Sequence, residues 1–240
     1  MHDDGDTRSL HFSMDELQSR MLTQSPWRLE VDYTLTMMGF LLFRPVPLHI
    51  GMIGLGGGSL AKFCHRQLPR SRMTVVEINP DVVALRREFH VPDDDARFCV
   101  ISADGADYLQ ASAPQFDVLL IDGFDHQGQP PALCSQRFYD DCFAALAADG
   151  VLVVNLHYEH PDYPLLASRI ARSFGGNSVE ILAPEKTNSV VFASRGKPIF
   201  ARGLSVAQAL AGLADEEGRH QLRAELGRIT WHMKDPEIKA

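Results

Sequence analysis

Residues 49–59 read HIGMIGLGGGS, a short apolar run that gives way to a turn made almost wholly of glycine. The run predicts a strand over His49 to Ile53, and the turn predicts a close approach of backbone to ligand. Glycines there free main-chain N–H groups at the start of the following helix. Such a turn serves a dinucleotide, an S-adenosyl compound or merely a tight reversal. Farther on, Val75-Val76-Glu77 ends a second strand about twenty residues past the glycines, where a carboxylate can accept hydrogen bonds from ribose hydroxyls.

Outward from this unit the pattern repeats. Apolar runs at Met73 to Val76, Phe98 to Ile101, Val118 to Ile121, Val151 to Val154, Val179 to Leu182 and Ser189 to Ala193 alternate with helical stretches. Val118-Leu119-Leu120-Ile121 is apolar on both faces, which predicts strands covered by helices on each side. Asn79-Pro80 opens a helix with a cap and a helix-start proline, and Ala148-Asp149-Gly150 is expected to close one before strand five. Only residues 183–188 separate the last two strands, too few for a parallel crossover, so they pair as an antiparallel hairpin at one edge. The fold class is α/β, a doubly wound, mostly parallel seven-stranded sheet with an antiparallel edge hairpin.

Residues 1–46 lack this alternation and form a short N-terminal segment with an apolar helix over Leu29 to Phe43. Residues 47–196, which hold the glycine turn and all seven expected strands, are expected to form a nucleoside-binding catalytic domain, and 197–240 a C-terminal helical tail. In the tail, Leu210, Leu213, Leu222 and Leu226 make a stripe that faces the core or a partner.

The 240 residues are 45% hydrophobic, enough for a core without staples, and carry 23 Lys and Arg against 31 Asp and Glu. The resulting net charge of −8 argues against a protein that coats nucleic acid, and suits a cationic small molecule better. Cys64, Cys99, Cys134 and Cys142 form no CxxC pair, so no metal is expected and a reducing cytoplasm is. The first residues, MHDDGDTRSLHF, carry no apolar leader core, and no run is long enough to span a membrane. No GxxxxGK[ST] or GxSxG pattern occurs, which removes P-loop and serine-hydrolase readings. His157 and His160 follow strand five without a metal-spaced partner, and Asp93-Asp94-Asp95 reads as a solvated loop.

Acids end strands two, three and four: Glu77, then Asp104 in Ser102-Ala103-Asp104-Gly105, then Asp122 and Asp125 in Asp122-Gly123-Phe124-Asp125. All fall at the carboxyl side of the sheet, where open α/β folds bind ligands.

With these residues, and with residues 116–155, FDVLLIDGFDHQGQPPALCSQRFYDDCFAALAADGVLVVN, the chain resembles the spermidine synthase family, the polyamine aminopropyltransferases, over about Gln24 to Ser194. The resemblance implies a class I methyltransferase-like Rossmann fold and transfer of an aminopropyl group from decarboxylated S-adenosylmethionine to a polyamine such as putrescine. It implies Glu77 on the ribose, Asp104 and Gly105 at the adenine, and Gly54, Gly56 and Gly58 along the sulfonium tail. It implies Asp122 as catalytic base, Asp125 on the far part of the amine, and Gln24 and Tyr33 toward nucleoside and amine. A homodimer is implied too.

The chemistry asks for such acids, because a primary amine of pKa about 10 is protonated at neutral pH and must lose a proton before it attacks carbon. Departures from the family pattern are Gly57 where an Asp is usual, Thr34 after the tyrosine, His126 after the second aspartate, Ala183 or Pro184 near the late tyrosine position, and a shortened N-terminal β-segment. They leave open a transferase that uses intact S-adenosylmethionine, methyltransferase-like, and a nucleoside-binding homologue without turnover.

Overall fold

The computed structural model describes residues 1–11, 17–113, 115–124, 128–201 and 203–234. Strands β1 (His2–Asp3), β2 (Thr7–His11) and β3 (Leu17–Leu22) form a small antiparallel sheet. Helix α1 (Asp32–Met37) runs directly into a 3-10 turn over Met38–Leu42. Then follow β4 (His49–Ile53), α2 (Ser59–Gln67), β5 (Arg72–Glu77), α3 (Pro80–Ala84), β6 (Phe98–Ser102), α4 (Gly105–Gln110) and β7 (Phe116–Ile121). After these come α5 (Gln136–Ala145), β8 (Leu146–His157), α6 (Tyr163–Ser173), β9 (Ser178–Leu182), β10 (Asn188–Ser194), α7 (Val206–Ala211) and α8 (Glu216–Lys234).

The main sheet has the order β6-β5-β4-β7-β8-β10-β9. Its first five strands run parallel, and β10 pairs antiparallel with both β8 and β9. Every residue of β4 and β7 is buried, as expected for strands with helices on both faces. The period-two alternation sorts their side chains into two cores. Ile50, Met52, Val118 and Leu120 pack with α2, the helical turns after α1 and the tail, whereas Ile53, Leu119 and Ile121 pack with α4, α5 and α6. Each such side chain, fully buried, contributes about 1.5–3 kcal/mol. Asp117 is the polar exception in β7: it accepts from the Leu48 N–H at 2.7 Å and the His49 N–H at 3.1 Å and pairs with Arg44. It thereby ties the chain entering β4 to the base of the sheet.

Several expectations are corrected. The helix expected from Leu29 begins only at Asp32, and its second half tightens to 3-10. Ala148-Asp149-Gly150 does not end a helix: α5 stops at Ala145 and these residues lie inside β8. Asp149 adopts a left-handed φ of +59° there, and its carboxylate accepts from the Lys197 N–H at 3.1 Å and pairs with Lys197 Nζ at 2.9 Å. The helical tail consists of α7 and α8, and all four stripe leucines are buried in this chain's own core, so of the two expected orientations the stripe is core-facing. Thr36 of α1 donates to Glu225 of α8 at 2.5 Å, and Arg228 pairs with the same carboxylate at 2.6 Å. The N-terminal sheet has no counterpart in the apolar periodicity, because its strands bury only scattered side chains such as Leu10, Ser19 and Met21.

Candidate functional site

Two adjoining cavities open at the carboxyl ends of β4, β5, β6 and β7. The smaller, about 260 Å³, runs from Gly54–Gly56 past Glu77 and Ile78 to Asp104 and Gly105. The larger, about 480 Å³, is walled by Tyr33, Asp122, Asn155 and Glu185 on one side and by Ser19, Gly57 and Ser59 on the other. Leu55, Gly56, Asp122 and Phe124 line both.

Backbone builds the smaller cavity. Gly54 has φ +93°, and a Cβ on it would sit 2.4 Å from the Asp122 carbonyl oxygen, so the turn after β4 and the end of β7 touch only because this residue is glycine. Glu77 is buried at the end of β5, and its carboxylate accepts the N–H of Leu55 and that of Asn79, each at 2.8 Å. These two bonds hold the glycine turn and the start of α3 on one carboxylate, which still has lone pairs for a diol. Asp104 caps α4, accepting from the Ala106 N–H at 2.7 Å and the Asp107 N–H at 3.2 Å through one oxygen and leaving the other unused by these bonds. Gly105 lies against Ile53, where a Cβ would approach Cγ2 to 2.4 Å.

Side chains build the larger cavity. Asp122, half-buried at the end of β7, accepts from Tyr33 OH at 3.2 Å and from Asn155 Nδ2 at 2.9 Å. Asn155 is fixed in turn, its Oδ1 accepting from Asn188 Nδ2 at 2.9 Å. Burial raises the Asp122 carboxyl above its ordinary pKa, and the bonds from Asn155 and Tyr33 partly offset that. Burial, with the Asp122 carboxylate beside it, pushes the Tyr33 phenol well above its usual range, so it stays a donor. Burial likewise raises the Glu185 carboxyl, with Asp32 and Glu225 adding repulsion. The Phe124 ring stacks on His157 with centroids 4.6 Å apart. Among the described residues, no Lys or Arg lines either cavity.

The structure therefore brings together Gly54, Gly56, Glu77, Asp104, Gly105 and Asp122 at the smaller cavity, and Gly56, Tyr33 and Asp122 at the larger. Gly58 stands just behind the turn with φ +67° as N-cap of α2. Gln24 lies in an exposed turn after β3 and lines neither cavity. Asp125 lies outside the described residues. His157 and His160 both line the larger cavity. The Asp93-Asp94-Asp95 loop is exposed and paired with Arg87, Arg86 and His65.

Sequence reasoning missed Asn155, Asn188, Ser19, Glu159 and Glu185. Asn155 alone carried a signal, an amide inside the apolar run Val151-Leu152-Val153-Val154-Asn155-Leu156.

Comparison with known proteins places the chain by its sequence and fold. A polyamine aminopropyltransferase of Chromobacterium violaceum is 38% identical over 234 residues, which cover 97% of this chain and 87% of that protein. A solved spermidine synthase in complex with the transition state analogue AdoDATO superposes with a TM-score of 0.60 at 25% identity, over 82% of this chain and 75% of that one. Human methyltransferase-like protein 13 in complex with SAH superposes with a TM-score of 0.63 at 25% identity, over 82% of this chain and 93% of that one. The model of the spermine/spermidine synthase domain matches residues 33–172, more than half of the sequence, and the chain belongs to that family.

Proposed function

We propose that this chain moves an aminopropyl group from decarboxylated S-adenosylmethionine to a small polyamine such as putrescine. The observation that carries the reading is the place of Asp122: a half-buried carboxylate on the wall shared by the cavity that Glu77 and Asp104 line and the one that Glu159 and Glu185 line.

In this reading Glu77 receives the ribose diol and Asp104 with Gly105 meets the adenine end, while the glycine turn passes the sulfonium into the larger cavity. The amine arrives protonated. Asp122 first pairs with the ammonium and then accepts its proton, and the raised carboxyl pKa makes it a better base. The freed nitrogen lone pair attacks the methylene beside sulfur. The C–N bond forms as the C–S bond breaks, the bonding pair stays on sulfur, and methylthioadenosine leaves uncharged. Tyr33 and Asn155 hold both carboxylate oxygens, which aims the base. Glu159 and Glu185 hold the distal ammonium, and Asp125 is proposed to join them.

We also propose a homodimer working in the cytoplasm, without nucleic acid or membrane partners; sedimentation checks the dimer. Among the described residues, no helix is long and apolar enough to cross a membrane.

The test is product analysis with decarboxylated S-adenosylmethionine and putrescine. Equal amounts of methylthioadenosine and an aminopropylated amine are expected; a methylated amine from intact S-adenosylmethionine, or no product, contradicts the reading.

A further inference from the structure

The proposed donor and its intact parent, S-adenosylmethionine, differ by one carboxylate, on the carbon that carries the amine. A site separates them by what faces that carbon. A carboxylate there pairs with the ammonium of the decarboxylated form and repels the acid of the intact one, whereas an uncharged wall does neither.

Next to the glycine turn, the described lining of the larger cavity includes Ser19, Gly57 and Ser59, and none of these three carries a charge. The Ser19 and Ser59 hydroxyls lie 3.3 Å apart, and Ser19 is only 7% exposed. Ser59 opens α2, whose N-cap, Gly58, has no side chain to occupy the first-turn N–H groups. Hydroxyls and N–H groups can receive a carboxylate as readily as an amine finds the hydroxyl lone pairs.

Packing fixes this neutrality. A Cβ on Gly57 would meet Ser19 Oγ at 2.5 Å, Ser19 Cβ at 2.9 Å and Phe89 Cδ1 at 3.0 Å. Ser19 thus occupies the space a longer residue at 57 would need. One residue of β3, in the small N-terminal sheet, sets the character of this wall.

We infer that Ser19 is a specificity-determining residue of the donor site, and that its hydroxyl-lined wall admits intact S-adenosylmethionine alongside the decarboxylated form. The inference rests on the donor assignment proposed above. Intact S-adenosylmethionine therefore competes for the site, and its level sets how much donor is bound.

Calorimetric titration of the full chain with both forms and with methylthioadenosine tests this. Wild-type affinities for the two forms should lie within about tenfold of each other, because Ser19, Gly57 and Ser59 offer no charge-assisted bond to separate them. Ser19→Asp should move the ratio toward the decarboxylated form by about tenfold or more, the scale of one charge-assisted bond. Ser19→Asn, similar in size but uncharged, should leave the ratio unchanged, and methylthioadenosine should bind all three proteins alike. A wild-type preference above tenfold for the decarboxylated form overturns the inference, as do equal shifts in Ser19→Asp and Ser19→Asn. Methylthioadenosine separates the two levels: if it binds while the ratio fails, only this inference falls. If it does not bind at all, the nucleoside assignment falls and takes the inference with it.

Discussion

The two cavities share a wall at Leu55, Gly56, Asp122 and Phe124, but they are held in shape by different means. On the nucleoside side, main-chain atoms do most of the holding. The carboxylate of Glu77 is tied to two backbone N–H groups, Asp104 is tied to two more, and Gly54 and Gly105 allow contacts that no Cβ permits. On the acceptor side, a chain of side-chain bonds runs Asn188 to Asn155 to Asp122, with Tyr33 closing it from α1. A cavity made of backbone changes only when the fold does, but one made of side chains can be rebuilt residue by residue.

Substitutions on the acceptor side should therefore change rate and leave nucleoside binding alone. Asp122→Asn removes the base and should lower kcat by a factor of about 10² to 10⁴, the usual worth of positioned proton transfer. A fall below tenfold in a stopped aminopropyl-transfer assay would assign the base elsewhere. Asn155→Leu should come next. It strips one donor from Asp122 and leaves Asn188 Nδ2 without its Asn155 acceptor, which costs about 1–3 kcal/mol in the transition state, or about five- to 150-fold in kcat/KM.

The pH profile sharpens the point. Asp122 already titrates above its ordinary value because it is buried, and the Asn155 and Tyr33 bonds stabilise its ionised form. Tyr33→Phe removes one of those bonds, so the carboxyl should rise further and the acidic limb of kcat/KM should move to higher pH. A limb that stays put or moves to lower pH would mean that Asp122 is not the group titrating. The smallest effect belongs to Glu185→Gln, at the exposed mouth. It should raise the amine KM by about two- to fivefold, the scale of a solvent-screened ion pair, with kcat little changed.

Legibility tracked the same division. Gly54, Gly56, Glu77, Asp104 and Asp122 all sit at strand ends, where the sequence shows both the strand and the turn after it, and the sheet order then brings those ends together. The seven strands are legible because each carries a short apolar run, fully buried in β4 and β7 and only partly buried in the outer strands β6 and β9. The remaining residues of the larger cavity come from β3, α1, β8, the loop after β8 and the β9–β10 turn, and nothing local in Ser19, Glu159 or Glu185 marks them as neighbours. Asn188 meets Asn155 only because β10 returns antiparallel beside β8, in a register that sets Asn188 opposite His157. The N-terminal strands carry little local signal, since Thr7–His11 is mostly polar and Leu17–Leu22 only half apolar, and Gln24, placed by spacing, lies in an exposed turn.

The central claim, two independently built halves meeting at one carboxylate, is tested most directly by titrating methylthioadenosine into Glu77→Ala and Asp122→Asn side by side. Glu77→Ala should lose about 1.5–3 kcal/mol of affinity, the scale of hydrogen bonds to a charged group. Asp122→Asn should stay within about twofold of wild type, since an uncharged thioether asks nothing of that carboxylate. Equal losses in the two variants, or full affinity in Glu77→Ala, would contradict the division.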